Sequence, residues 1–527
     1  MLPLLTREEA RRLDRDAEER LGLPTLALME NAGAGAARVL LEALGPRPSG
    51  ATVVVGGTGQ NGGDAWVLAR HLRTEGRPPP ACFVVGDPAR ITGDARIQFD
   101  TLRRLGVDPL PLTAATGLGP LRAALAGASA VVDGVFGTGL DRAVTGLPAA
   151  ALEAVNAAGA PVLALDLPSG IDSDTGSVLG SAVRATLTAT FAAPKRGLLQ
   201  HPGAGHAGEV RLVPIGVPVA PDAGAAALAS ADDLRALLHP RARDAHKGSA
   251  GHVLVVAGRA GTTGAARLAG LGALRGGAGL CTVATRSCAR AALDAGIAEL
   301  MLATLPDDEA DAIGFALALC EGKRAAVVGP GLGAHDGLAA ALAVAIPLPA
   351  VLDADALTAL SAPGGGGLEA LRAAAAPRVL TPHPGEAARL LGVETADVQR
   401  DRHGAAGTLA ARSGQVCVLK GAGTVVASPD GRQVVIGAGT PALAVAGTGD
   451  VLAGLVGAAL CGGAQAGGAR SDGAPVDVAS AFEAACTAAL LHAVAGERAS
   501  RGADRGLLAH EVADAVPAVV AGALASQ

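Results

Sequence analysis

Four consecutive residues, Gly447-Thr448-Gly449-Asp450, join a glycine turn to a carboxylate and lead into the apolar run Val451-Leu452-Ala453-Gly454-Leu455-Val456. If that run is a helix, its first N–H groups lack partners within the helix. Together with the helix dipole they make a site for an anion such as phosphate. Asp450 then stands beside the anion, placed to take a proton from a hydroxyl that attacks phosphorus. The glycines allow a nucleotide to approach the backbone. Taken alone, the four residues read slightly better as an N-capping Asp after an ordinary turn.

Three further carboxylates follow strand-like runs. Thr52-Val53-Val54-Val55 leads through Gly56-Gly57-Thr58-Gly59-Gln60-Asn61-Gly62-Gly63 to Asp64. Ala130-Val131-Val132-Asp133 precedes Phe136-Gly137-Thr138-Gly139-Leu140, and Val162-Leu163-Ala164-Leu165-Asp166 precedes Leu167-Pro168-Ser169-Gly170-Ile171-Asp172. Strand, glycine loop and helix form the phosphate-cradling unit of doubly wound sheets, whose ligands bind beyond the carboxyl ends of the strands. Asp64, Asp133 and Asp166 are therefore expected in one crevice, although each alone reads as a turn former or helix cap. The first loop is not a Walker A motif, because no Lys-Ser/Thr follows it.

Later candidates keep two readings each. His383, between Pro382 and Pro384, is sterically restrained and not expected in a helix; it is either a turn hydrogen-bonder or a catalytic group. Lys420, after Val416-Cys417-Val418-Leu419, either lies exposed at a sheet edge or meets a phosphate over Gly421-Ala422-Gly423-Thr424. Asp353 and Asp355 either bind a hydrated magnesium or cap the next helix.

The elements that must position these residues follow from composition. A chain of 527 residues exceeds what one core serves, so two domains are expected. Aromatics are 1% and glycines number 75, so core volume comes from Ala, Val and Leu, which suits helices laid on parallel sheets. Thr6 and Glu9 form a capping box ahead of Ala10, Leu13, Ala17 and Leu21 at helical spacing. Leu26, Met29, Gly33, Ala36 and Leu40 mark a second helix, whose Ala32, Gly33 and Gly35 permit close approach, with Glu30 and Asn31 as solvated or capping groups. Proline- and alanine-rich residues 219–229 read as a linker between domains at 1–218 and 230–527.

A net charge of −6 excludes a general nucleic-acid binder. The seven cysteines show no metal-ligand spacing and read as free thiols of a cytoplasmic protein. The Arg- and Glu-rich start is not a signal peptide. The uncharged stretch Val451 to Ala469 holds six glycines, so only its first half is expected as a well-packed helix, and no membrane span is expected. Small-molecule substrates, a homo-oligomer and no membrane or nucleic-acid partner are the expectation.

The motifs of residues 59–64, 133–139 and 166–172 resemble the NAD(P)H-hydrate epimerase domain, a Rossmann-like doubly wound sheet. The resemblance implies that Gln60, Asn61, Gly62, Gly63, Asp64, Gly137, Thr138, Gly139, Leu140, Asp141, Arg142 and Ala143 hold the hydrated nicotinamide nucleotide. It also implies that Asn61, Asp133 and Ser169 ligate potassium (K+), with Asp166 as acid/base against the substrate. Gln60 and Ala65 depart from the Asn and Gly usual there. Ala65 matters only if that position needs a positive φ.

The order of loops in the second half resembles the ribokinase-like fold and, within it, the ADP- or ATP-dependent NAD(P)H-hydrate dehydratases. By that resemblance Lys420, Gly421, Ala422, Gly423, Thr424 and Gly449 bind ADP or ATP with Mg2+. Ala265, Gly333, His383 and Asp450 contact the hydrate, with Asp450 catalytic. Arg259 stands where Ser or Asp is usual. The expected chain is thus an α/β bifunctional repair enzyme whose two activities serve the two epimers of one damaged coenzyme. The alternative is a vitamin or sugar kinase carrying a non-catalytic N-terminal binding domain.

Overall fold

The valine-rich runs become strands covered on both faces, as parallel sheets require. The computed structural model describes residues 1–44, 51–75, 77–333, 337–362, 366–463 and 476–525. Two compact units emerge, Leu2–Ala227 and Leu228–Gln527, with Met1 grouped with the second.

In the first unit seven parallel strands run, edge to edge, Leu110–Leu112, Ala81–Val85, Ala51–Gly56, Ala128–Gly134, Val162–Leu165, Leu187–Phe191 and Glu209–Val213. The order reverses direction between Ala51–Gly56 and Ala128–Gly134, the switch point where doubly wound sheets open a crevice. Gly57 and Val135 leave that crevice floor in contact: a Cβ at Gly57 would lie 2.2 Å from the Val135 carbonyl oxygen.

The helices answer to their sequence signals. Thr6 and Glu9 form the capping box of Arg7–Leu21, and Gly22 ends it at φ +67°. Thr25–Leu44 packs on Gln60–Thr74 so closely that a Cβ at Gly33 would sit 2.4 Å from Val67 Cβ. Asn31 is exposed, in keeping with a solvated group, whereas Glu30 is half-buried and paired. Glu30 pairs with Arg70 and His71, and Asn31 donates to the Ile215 carbonyl at 2.8 Å.

In the second unit the parallel series is Val416–Leu419, Arg378–Leu380, Ala350–Leu352, Ala325–Val328, His252–Val256, Leu280–Arg286 and Met301–Leu305. Val425–Ala427 and Gln433–Ile436 extend it antiparallel beyond Val416–Leu419. Helix Thr448–Ala458 lies against Thr263–Arg275 at backbone distance: a Cβ at Gly454 would fall 2.1 Å from the Ala269 oxygen, and one at Gly272 would fall 2.4 Å from the Val451 oxygen. Small residues on both helices are what permit this seam.

The expected linker is shorter than 219–229, because Ala226–Ala229 is a strand whose Ala229 oxygen accepts from Gly437 N at 2.8 Å. Its two end alanines are buried, a side-chain pattern that composition alone had hidden. From Val451 the apolar run is α-helical to Ala458, the turn Ala459–Gly463 that follows is broken at Gly462 by φ +92°, and the rest of the stretch to Ala469 lies outside the described residues. Val478–Ser500 is the one described helix long and apolar enough to cross a membrane, and 72% of its apolar window is buried in the fold.

Candidate functional site

At the switch point of the first sheet opens a cavity of about 670 Å³. Gln60, Asn61, Asp64, Gly137, Thr138, Gly139, Leu140, Asp141, Arg142 and Asp166 line it. Gly62, Gly63 and Ala143 do not. A Cβ at Gly62 would meet the Gly57 oxygen at 2.1 Å, and one at Gly63 would meet Met29 Cε at 2.5 Å, so these glycines serve loop and helix packing. Ala65 lies inside helix Gln60–Thr74 with no positive φ, so its departure from Gly carries no backbone strain.

The three expected carboxylates divide. Asp64 and Asp166 face the cavity, whereas Asp133 is fully buried behind it and absent from its lining. Its carboxylate accepts from Ser169 N at 2.8 Å, Ser169 Oγ at 2.6 Å and Val135 N at 3.3 Å. Ser169 Oγ in turn accepts from Phe136 N at 2.8 Å. Asp133 thus fastens the loop after one strand to the loop after the next. Burial pushes its pKa up to about 6, with the Ser169 and Val135 hydrogen bonds opposing.

Asp166 holds φ +65°, a left-handed conformation that costs a non-glycine residue energy and here turns the side chain inward. Its partner is Lys195, a residue the motif reading passed over. Lys195 is 3% exposed, pairs with Asp166 and lines the cavity. The available signal was its place in Pro194-Lys195-Arg196-Gly197, a short loop beyond the carboxyl end of strand Leu187–Phe191. Asp14, from helix Arg7–Leu21, was likewise missed and lines the same cavity. Arg7 holds the substrate-side loop from behind, donating to the Thr138 and Leu140 carbonyls at 2.8 and 2.6 Å and to Asp172 at 3.0 Å.

The second site gathers around the helix that begins at Thr448. Gly447 precedes it at φ +94°, and Asp450 falls in its first turn. Lys420 reaches inward rather than lying exposed: its Nζ is 2.6 Å from Asp353 Oδ1, and a Cβ at Gly449 would be 3.3 Å from that nitrogen. A cation therefore stands against the open N–H groups of the helix, which is how a polyphosphate site is built. Burial raises Asp450 to about 7, with Asp353, Asp355 and Glu386 adding and Lys420 opposing. Burial pulls Lys420 down, but Asp353 and Glu386 outweigh it and hold the ammonium above its ordinary value.

His383 caps helix Pro384–Leu391, its Nδ1 accepting from Gly385 N at 3.0 Å and Glu386 N at 3.3 Å, so it belongs to a helix terminus. Gly333, at φ +108°, donates to Asp355 Oδ2 at 2.8 Å, and the Arg259 side chain lies against it. Ala265 sits in the first turn of Thr263–Arg275, and Thr262 Oγ1 ties that turn to the Gly331 carbonyl at 2.6 Å. Ala265 and Gly333 are thereby brought onto adjoining loops.

Arg402, 4% exposed, governs the expected nucleotide loop. It donates to the carbonyls of Leu419, Lys420 and Gly423 at 3.1, 3.3 and 3.4 Å, while Thr424 Oγ1 closes the turn on the Gly421 oxygen at 2.9 Å. Arg402→Met should free the 419–424 segment and weaken nucleotide binding about tenfold, equivalent to ~1.4 kcal/mol. Calorimetric titration with ADP or ATP measures this, and an unchanged affinity would refute the role.

Comparison with known proteins follows the same division. The family described as NAD(P)H-hydrate dehydratase matches residues 253–518, and the one described as YjeF-related protein N-terminus matches residues 25–197. A bifunctional NAD(P)H-hydrate repair enzyme Nnr of Moorella thermoacetica is 37% identical over 98% of this chain and 96% of its own. The protein of the same name from Salinibacter ruber is 41% identical over 86% of each chain. A solved ADP/ATP-dependent NAD(P)H-hydrate dehydratase from Bacillus subtilis, co-crystallised with ATP/Mg2+, is 30% identical and covers 56% of this chain and 97% of its own, with a TM-score of 0.45. With likeness extending through both units to near full length, the chain belongs to the family of bifunctional NAD(P)H-hydrate repair enzymes.

Proposed function

We propose that the chain repairs hydrated NADH and NADPH by two activities, one in each unit. The epimerase is assigned to residues 1–218, where it interconverts the R and S hydrates. The dehydratase is assigned to residues 230–527, where it returns the S form to NAD(P)H with ADP or ATP. The observation that carries this reading is the presence of two separate acid-bearing sites, a cavity holding Asp166 with Lys195 and a helix N-terminus holding Asp450 with Lys420.

In the dehydratase, the helix amides and Lys420 hold the polyphosphate while Asp450 takes the proton of the hydrate's hydroxyl as that oxygen attacks the terminal phosphorus, whose bond to the leaving ADP (from ATP) or AMP (from ADP) breaks. The resulting phosphate ester is a good leaving group. Its departure with a proton from the neighbouring ring carbon restores the dihydropyridine. Positioning and charge stabilisation carry most of such a transfer, consistent with a site built of amides and one ammonium. Among the described residues no cluster of three His, Cys, Asp or Glu side chains is arranged for a metal ion. Mg2+ fits here as an ion carried on phosphate oxygens with one or two carboxylates, of which Asp353 and Asp355 are the nearest to Lys420 and Gly333.

For potassium, the supporting observation is Asn61, buried beside Gly137 with no hydrogen-bond partner for its Nδ2 among the described residues. An amide turned end for end presents oxygen instead, and oxygens of Asp133 and Ser169 are the hard ligands such an ion takes. A cation there would also offset the burial that raises Asp133. Replacing K+ by tetramethylammonium should slow epimerisation and lower the unfolding temperature of the chain, read by calorimetry; no change in either would remove potassium from the account.

Both epimers of hydrated NADH, incubated with purified chain and ADP or ATP, should recover NADH absorbance completely. Recovery from one epimer only would leave the first unit without its activity. A stable phosphorylated vitamin accumulating instead would favour the kinase alternative.

A further inference from the structure

Two carboxyls open on the same cavity with opposite surroundings. Lys195 Nζ directs its protons to Asp166 Oδ1, to Thr190 Oγ1 at 3.3 Å and to the Phe191 carbonyl at 2.8 Å. Asp166 Oδ1 also receives Phe191 N–H at 3.4 Å, so Oδ2 is the oxygen left for a ligand. Asp64, 9% exposed on helix Gln60–Thr74, meets no hydrogen-bond donor among the described residues. The charged groups that act on it are Asp166 from the strand-end turn, Asp14 from helix Arg7–Leu21 and Lys195 from the following loop. Burial first, then Asp166 and Asp14, push Asp64 well above the usual carboxylate range against the pull of Lys195. A carboxyl held toward its protonated form beside a carboxylate paired with an ammonium is a pattern of acid and base.

We propose that Asp64 supplies the proton of epimerisation and that Asp166, held by Lys195, receives one. This rests on the epimerase reading above. In the hydrate, the hydroxyl-bearing carbon adjoins the ring nitrogen. Asp64 protonates the hydroxyl oxygen as the C–O bond breaks with its electron pair, releasing water. The nitrogen lone pair forms a C=N double bond, leaving a planar cationic carbon. A water on the opposite face bonds to that carbon, the C=N π pair returns to nitrogen, and the surplus proton passes to Asp166 Oδ2. One water leaves, one enters and one proton moves from Asp64 to Asp166, which exchange with cavity water resets. Helix and strand-end turn present the two carboxyls to the one cavity from different elements. Lys195 is a positioning residue, acting through Asp166.

The test runs the full chain in oxygen-18 water and follows each epimer by chromatography and mass. Each inversion should carry one solvent oxygen into the product. Asp64→Asn should lower the epimerisation kcat roughly 10²–10⁴-fold while dehydration of the S form is unaltered. Lys195→Met should move the acidic limb of the kcat profile to higher pH, and Lys195→Arg should restore part of the rate. Inversion with the original oxygen retained, or wild-type kcat in Asp64→Asn, overturns the proposal while leaving the epimerase reading standing. A wild-type chain that never interconverts the epimers overturns that reading itself.

Discussion

Asp450→Ala is expected to lower the rate of hydrate dehydration by roughly 10²–10⁴-fold while the two epimers continue to interconvert at the wild-type rate. The substitution removes the proton acceptor at the first turn of helix Thr448–Ala458 and leaves the Gly447 turn and Lys420 in place. Nucleotide affinity should change little, because the proposed phosphate contacts are the amides and the ammonium rather than the carboxylate. The wild-type pH profile supplies an independent reading. Burial and neighbouring carboxylates raise Asp450 to about 7, and only its deprotonated form accepts a proton. Dehydration kcat/KM in the S form should therefore climb with pH through about 7 and level off above it. A profile flat from pH 5 to 9, or an Asp450→Ala chain of near-normal rate, would remove Asp450 from the chemistry.

Asp166→Asn should have an effect of similar size on the other reaction and a second effect on stability. Asn tolerates the left-handed backbone that Asp166 adopts, so the change isolates the charge. Lys195, 4% exposed at its side chain, is then buried without its counter-ion, and stripping one member from such a pair costs about 3–5 kcal/mol. Removing the second charge as well, in Asp166→Asn with Lys195→Met, should recover most of that stability, since an uncharged pair leaves no ion stranded. It should recover no epimerisation. Denaturant unfolding and epimer chromatography on the single and double variants separate the two effects. A double variant that regains turnover would show the pair to be structural only.

What the sequence disclosed, it disclosed through periodicity and loop position. Runs such as Val53-Val54-Val55 and Leu163-Ala164-Leu165 announce strands covered on both faces, and a carboxylate just beyond such a strand is placed by chain geometry at the sheet's open edge. Asp64 and Asp166 were legible for that reason. Asp133 was misjudged in depth, because it is still within strand Ala128–Gly134 and bonds sideways to Ser169 rather than outward. Lys195, despite its place beyond a strand end, and Arg402 were passed over for a different reason. Each acts through contacts with segments distant in sequence or through backbone carbonyls, and neither sits in a motif that singles out its residue type. The linker was overextended because Ala and Leu make both loose spacers and buried strands, and only pairing with Gly437 distinguishes them.

The seam between helices Thr448–Ala458 and Thr263–Arg275 bears on which replacements this chain can accept over time. Alanine is the better helix former by about 1 kcal/mol, so a drift from glycine to alanine inside a helix would ordinarily be favourable. At Gly272 and Gly454 the added methyl would meet a carbonyl of the facing helix well inside contact distance, and the gain in propensity is lost to displacement of the whole element. Invariance at those two places would therefore record a mechanical tolerance between two rods and carry no information about ligands.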